Sequence, residues 1–226
     1  MGAEPREFSG LLACCAGIRK LDMPVHWARY GEAGGRRLWM LANGAGAKRA
    51  AVAVDTGHPV CQPHAMISMG FCGALDPALK IGDVFVADAV EAAGRRFPLS
   101  MPASAPPHST GLLVSIDHVA QTAAEKQVLR ATGAAAVEME AGGVAQRATV
   151  LGIPLFCIRS VSDLAGQTFI TDFNRALRSD GRFGTINVLT SALGNPGKAF
   201  PELIRLRRFC SIATRTLGEF IAGCRF

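Results

Sequence analysis

Residues 136–165, AVEMEAGGVAQRATVLGIPLFCIRSVSDLA, decide how the chain is read. A short apolar run ends in Glu138 and Glu140, a helix of small residues follows, and Pro154 stops it. The run Leu155-Phe156-Cys157-Ile158 then leads into Arg159-Ser160-Val161-Ser162-Asp163. Two strand ends therefore bring acidic side chains out of buried runs, with one helix between them. Ligands of open α/β sheets bind outside the carboxyl ends of the strands. This stretch is expected to carry the active site.

Working outward, short apolar runs at residues 9–16, 37–42, 65–69, 84–87 and 112–116 read as buried strands. Helical patterns cover 47–54, 122–132, 168–180 and 183–193. Strands alternating with helices predict an α/β sandwich with a mixed or mostly parallel sheet. Residues 95–107, rich in Pro and Ser, read as a mobile loop over or beside the site. No repeat or linker interrupts the 226 residues, so residues 1–226 are expected to form a single domain. Residues 198–226 form its C-terminal basic amphipathic helix.

Composition narrows the class. With 49% hydrophobic residues, 7% aromatics and 25 glycines, the chain suits a compact α/β enzyme better than a disordered or repeat protein. No apolar run approaches the roughly 20 residues needed to span a bilayer. The start of the sequence, with Glu4 and Glu7, lacks a cleavable signal pattern, so a cytoplasmic location is expected. A net charge of +6 favours an anionic partner. There is no aromatic-interleaved basic run and no helix-turn-helix pattern, so nucleic acid is not expected. From Lys198 onward, six Lys/Arg face two Glu. The terminal helix either packs on the sheet with a solvated basic side or also lies against an anionic membrane surface.

Seven cysteines without a C-x-x-C pair read as core residues and free thiols. His58, Cys61 and His64 are three zinc-type ligands close together, but no fourth is evident and no metal is assigned. Gly17, followed by Arg19 and Lys20, marks either an anion-holding turn or an ordinary one with two exposed charges. Gly44 and Gly46 precede a helix, where free N–H groups and the helix dipole favour an anion. The third glycine of a dinucleotide fingerprint and the lysine-serine pair of a Walker loop are both absent, so neither NAD nor ATP is expected. No cofactor is assigned.

Three segments, in order, resemble one family: the purine nucleoside phosphorylases and the related methylthioadenosine/S-adenosylhomocysteine nucleosidases. They are Ile67-Ser68-Met69-Gly70-Phe71-Cys72-Gly73-Ala74-Leu75-Asp76 with Ile81-Gly82-Asp83-Val84, then Val137-Glu138-Met139-Glu140, then Arg159-Ser160-Val161-Ser162-Asp163-Leu164-Ala165. The resemblance runs from about residue 8 to 193. It implies a three-layer α/β/α sandwich with a central mixed sheet, and cleavage of the N-glycosidic bond of a purine nucleoside. A looser likeness over Phe173-Asn174-Arg175-Ala176-Leu177, Asp180-Gly181-Arg182 and Asn195-Pro196-Gly197 points to the hopanoid-associated phosphorylases. It implies inorganic phosphate as co-substrate and a large apolar 5′ substituent such as hopane; the basic terminal helix suits peripheral membrane contact, and the wider family implies a homo-oligomer. A hydrolytic nucleosidase and a non-catalytic nucleoside-binding protein stay open as alternatives.

The resemblance also assigns roles. Asp163 is the general acid that protonates the leaving purine, a contribution of about 10²–10⁴-fold; capping of the following turn is its alternative use. Glu140 takes the ribose hydroxyls and Met139 lies against the sugar. Cys72, Gly73, Val119 and Ser162 face the base. From the glycine turns themselves, Gly17, Arg19, Gly44 and Ser68 are expected to hold phosphate, although this chain departs from the phosphorylase pattern, with Ser68 where the family has an arginine and Phe71 where it has a serine. Glu138 is expected to be structural, and Arg159 to sit in a core-edge salt bridge or an interface. Phe71 and Phe156 at the mouth would make the site more apolar than a plain nucleoside needs. Phosphate is the expected nucleophile, because basic residues at a glycine turn suit an anion.

Overall fold

The computed structural model describes residues 1–184, 188, 190 and 196–226. The strand expected at 9–16 is instead a 3-10 turn, Pro5–Phe8, running into helix α1, Ser9–Ala13. A short apolar run does not distinguish a strand from a buried helix by its pattern alone. Here Phe8 and Leu11, three residues apart, join Leu217, Phe220 and Ile221 of the C-terminal helix in one buried cluster. The helices cross closely because Gly10 has no side chain: a Cβ there would lie 2.0 Å from the Thr214 carbonyl oxygen.

Strands β1 (Ala16–Lys20), β2 (Trp27–Ala33) and β3 (Arg36–Ala42) form an antiparallel sheet. The β2–β3 hairpin turns on Gly34 and Gly35, both at positive φ, as tight hairpin turns require. The second sheet contains β4 (Met66–Ala74), β5 (Val84–Ala92), β6 (Arg95–Pro98), β7 (Ser109–Ser115), β8 (Ala136–Glu138) and β9 (Leu155–Asp163). Their order is β6-β5-β7-β8-β4-β9, and β9 also pairs with β5, so five of the strands close into a ring. The sheet is mixed: β4–β9, β5–β7 and β7–β8 are parallel, the other pairings antiparallel. Residues 1 and 2 bridge the two sheets, with Gly2 N donating to Leu41 O at 3.0 Å and Met69 N donating to Met1 O at 2.8 Å.

All nine residues of β9 are buried, so it reads as an unbroken apolar run rather than an alternating one. Its alternate side chains still go to different cores. Leu155, Cys157 and Val161 pack with helices α2 (Ala47–Cys61) and α4 (Ala141–Leu151). Ile158 packs with Phe8, Leu11 and the terminal helix on the opposite face. The sheet thus lies between two helical layers, the expected α/β/α arrangement. Gly143 lets α4 meet α2: a Cβ there would lie 1.9 Å from the Ala47 carbonyl oxygen.

Several local expectations are corrected. Helix α2, expected over 47–54, continues through Pro59 to Cys61 and ends at Gln62 in the left-handed region, so His58 and Cys61 stand on a helix. Among the described residues no group of three His, Cys, Asp or Glu is arranged to hold a metal. Arg95–Pro98 pairs with β5, and the loop after it bonds to the chain end, with Ala103 N donating to Arg225 O at 2.8 Å. Ser100 N donates to Leu155 O at 2.8 Å, which puts that loop at the opposite end of β9 from Asp163. After helix α3, Ala123–Arg130, the 168–180 segment is helical only at α5, Phe173–Ala176. The amides of Ile170 and Thr171 donate to the Glu202 carboxylate at 2.8 and 2.9 Å, which takes them out of any helical ladder. The helix expected at 183–193 lies largely outside the described residues. The terminal helix α6 spans Pro196–Gly223, with Pro196 at its first turn, where proline is tolerated.

Candidate active site

Strand pairing assembles the site. Gly73 of β4 pairs with Val137 of β8 on one side and Asp163 of β9 on the other. A Cβ on Gly73 would lie 2.8 Å from Asp163 Oδ1 and 3.2 Å from Val137 Cγ1, so only glycine lets the carboxylate lie against this strand. The result is a cavity of about 150 Å³ at these strand ends. Met139, Glu140 and Asp163 line it, as do Cys72, Gly73, Val119 and Ser162. These are the seven residues expected to meet sugar, base and leaving group.

The four residues expected to hold phosphate are elsewhere. Gly17 and Arg19 lie on exposed β1, and the Arg19 guanidinium stacks on Tyr30 at 4.5 Å. The Gly44 amide donates to Ala3 O at 2.9 Å, and Ala45 N donates to Gly181 O at 2.7 Å. Gly46 N, at the start of α2, donates to Glu140 Oε1 at 2.9 Å, so that amide carries a carboxylate of the chain itself. Ser68 Oγ is buried and accepts from Arg159 Nη2 at 2.8 Å. Phe71 does line the cavity, whereas Phe156 stacks on Phe226, 4.8 Å between centroids, near the start of β9.

Glu138 has the structural part expected of it. Its Oε2 accepts from Glu140 N at 2.9 Å, Ala141 N at 2.8 Å and Arg159 Nη2 at 2.6 Å. Those bonds hold the first turn of α4, and with it the Glu140 carboxylate that lines the cavity. Arg159 is 1% exposed, so it belongs to a buried ion pair and not to a core-edge one. Burial, with Glu138 and Glu7 nearby, pushes the Glu140 carboxyl up to about 8.

Glu7 and His118 on the cavity wall, and Lys126 behind it, are among the residues that carry no signal in the sequence. Glu7 enters the cavity from the N-terminal turn: Oε2 accepts from Ala3 N at 2.7 Å and Glu4 N at 3.0 Å, and Oε1 from Phe71 N at 3.4 Å. Burial raises its pKa, partly offset by backbone donors and by Arg159. It fits because Gly70 is bare; a Cβ there would lie 2.9 Å from Glu7 Oε1. His118 bonds Asp117 at 2.7 Å and Glu125 at 2.6 Å, and these two partners raise its pKa. Lys126, 1% exposed on α3, reaches the Asp163 carboxylate from behind, while Ser162 Oγ donates to Asp163 Oδ2 at 3.0 Å. Nothing local marks these three; each is an ordinary polar residue until the fold brings it in.

Chemically, the cavity gathers Glu7, Glu138, Glu140 and Asp163 on its walls. Arg6 is at the rim, 57% exposed in its side chain and paired with Glu4 at 2.6 Å. Carboxylates around a sugar-sized space suit a centre that becomes positive during reaction.

A family model described as the phosphorylase superfamily matches residues 24–112 and 99–182. The chain is 26% identical, over 225 residues, to a 5′-methylthioadenosine/S-adenosylhomocysteine nucleosidase of Marinomonas sp. (strain MWYL1), covering 86% of this chain and 97% of the relative. It is 28% identical over 159 residues to the nucleosidase of Staphylococcus aureus (strain JH9), covering 58% and 70%. Among solved structures, the nucleosidase from Neisseria meningitidis in complex with methylthio-immucillin-A superposes with a TM-score of 0.74 at 22% identity, covering 98% of this chain and 95% of that one. A futalosine hydrolase mutant of Helicobacter pylori superposes at 0.72 and 16% identity, with the same coverage, and both likenesses concern the fold. The chain belongs to the phosphorylase superfamily.

Proposed function

We propose that the protein cleaves the N-glycosidic bond of an adenine nucleoside with water, not phosphate, as the nucleophile. One observation carries this reading. Glu7 lines the cavity together with Glu140, while Arg159 is turned away to Glu138 and Ser68. A phosphate dianion would meet the carboxyls of Glu7, Glu138, Glu140 and Asp163, while the cationic side chains of the lining, Arg6 and His118, are each already paired with carboxylates of the chain; a water molecule would meet a base. The raised pKa of Glu7 suits a group that must accept a proton from water. The relatives named above are nucleosidases, which agrees with water as well. This replaces phosphate as the expected nucleophile.

In this mechanism Glu7 takes a proton from water as its oxygen bonds to C1′. Glu140 accepts the ribose hydroxyls and, with the neighbouring carboxylates, stabilises positive charge at C1′. The C–N bond breaks, its electron pair stays on the purine, and Asp163 supplies the proton that makes adenine a good leaving group. Met139 packs on the sugar, and Cys72, Gly73, Val119 and Ser162 border the base. The test is adenine release from 5′-methylthioadenosine with and without phosphate. Release is expected in buffer alone, and Glu7→Gln is expected to lower it at least about 100-fold. Dependence on phosphate would overturn the reading.

The 5′ substituent has a path. The cavity adjoins a groove of about 710 Å³, bordered by Phe71, Phe169, Phe173, Leu203 and Leu206 along α6. On the exposed face of that helix, Ile204 (72% exposed) and Phe200 (42%) stand among Arg205, Arg207, Arg208 and Arg215. This arrangement supports a long apolar 5′ group and contact with an anionic bilayer; no described helix is long and apolar enough to cross one. With 5′-alkylthioadenosines, kcat/KM should rise up to about fourfold per added methylene, from ~0.8 kcal/mol per buried CH₂. A flat or falling series would exclude an apolar path.

A further inference from the structure

We infer that Lys126 is the counter-cation of the leaving-group acid: it positions Asp163 and stabilises the carboxylate that Asp163 becomes once its proton has passed to the purine. The inference rests on the reading of Asp163 as that acid. Helix α3 is built against its own polarity. Val128 is 71% exposed, whereas Lys126, two residues earlier, is 1% exposed. Packing alone would favour the reverse, because burying an ammonium carries a large desolvation cost and the loss of a long side chain's freedom. What offsets that cost lies at the end of β9. The Lys126 ammonium donates to Asp163 Oδ1 and to Leu164 O, the latter at 2.8 Å, and lies 5.5 Å from the centre of the Phe169 ring. Lys126 does not line the cavity, so it does not touch the substrate. Asp163 Oδ2, the oxygen not engaged by Lys126, accepts from Ser162 Oγ at 3.0 Å.

The proton and electron count is simple. Asp163, ion-paired with Lys126 at rest, takes up a proton from solvent and gives it to the purine; the C1′–N bond breaks and its pair stays on the base. Water oxygen bonds to C1′, and its proton goes to Glu7. Lys126 takes no part in the proton transfer itself. Its contribution grows as negative charge develops on Asp163 in a weakly screened interior, where preorganised charge acts most strongly. A leaving group that departs without a proton gains nothing from it.

That difference is the test. Lys126→Met, Lys126→Gln and Lys126→Arg are compared with the wild type on 5′-methylthioadenosine and on 4-nitrophenyl β-riboside, whose phenolate leaves unprotonated. Lys126→Met is expected to lower kcat for adenine release about 100-fold. KM and nitrophenolate release should each change no more than about threefold. Lys126→Arg should recover much of the loss and Lys126→Gln little. If the methionine variant melts early, the glutamine variant gives the same comparison. Equal losses on both substrates, no loss on adenine release, or an arginine variant no better than glutamine would overturn the inference. Absence of adenine release from the wild type would instead refute the proposed function.

Discussion

Glu138→Ala removes one side chain and leaves three buried donors without their acceptor. Glu138 Oε2 takes the Glu140 amide at 2.9 Å, the Ala141 amide at 2.8 Å and Arg159 Nη2 at 2.6 Å, and both ends of the ion pair are at most 2% exposed in their side chains. An uncompensated buried charge costs about 3–5 kcal/mol. Each stranded amide adds about 1–3 kcal/mol, less than additively because all three share one acceptor. A total of about 4–7 kcal/mol is a large part of the 5–15 kcal/mol typical of a domain. For a chain of this length it corresponds to a fall in Tm of roughly 10–25 °C. Thermal melts followed by circular dichroism at pH 7 measure it. Glu138→Gln, which keeps one carbonyl acceptor, should cost less. Adding Arg159→Met to Glu138→Gln should recover stability, since no unpaired guanidinium then remains. A fall below about 4 °C in Glu138→Ala, or no recovery in the double variant, would refute the reasoning.

Two further outcomes follow from the same geometry. Burial pushes the Glu140 carboxyl up to about 8 from 4.5, so the folded state holds a proton that the unfolded chain has released. This contribution is fully present below the unfolded value and is lost as pH rises through about 8, with a slope of up to ~1.4 kcal/mol per pH unit. Urea melts at pH 5, 7 and 9 should show that slope flattened in Glu140→Gln; identical slopes would contradict the assignment. Gly70→Ala would place a Cβ 2.9 Å from Glu7 Oε1 and 3.2 Å from its Cδ. Adenine release should fall tenfold or more, a factor worth about 1.4 kcal/mol at the barrier. An unchanged rate would place Glu7 outside the reaction.

The sequence by itself determined the layered α/β class and the strand ends that meet at the cavity. Buried runs punctuated by glycine and proline are local signals, and Met139, Glu140, Ser162 and Asp163 sit immediately after such runs. It also located the turn at Gly44–Gly46, but not its occupant: the Gly46 amide meets Glu140, 94 residues away. The apolar run at 9–16 has the local pattern of a strand, and only packing against α6 makes Ser9–Ala13 helical. Glu7, His118 and Lys126 became visible only in the tertiary structure. A lone glutamate in an N-terminal turn, a histidine in a loop and a lysine on a short helix have no sequence period that points inward. What gives them roles is long-range contact: Glu7 beside bare Gly70, and Lys126 behind Asp163. The same contacts favour water over phosphate in the proposed reaction, since folding puts the basic residues near Gly17 on an exposed hairpin and brings the Glu7 carboxylate into the cavity.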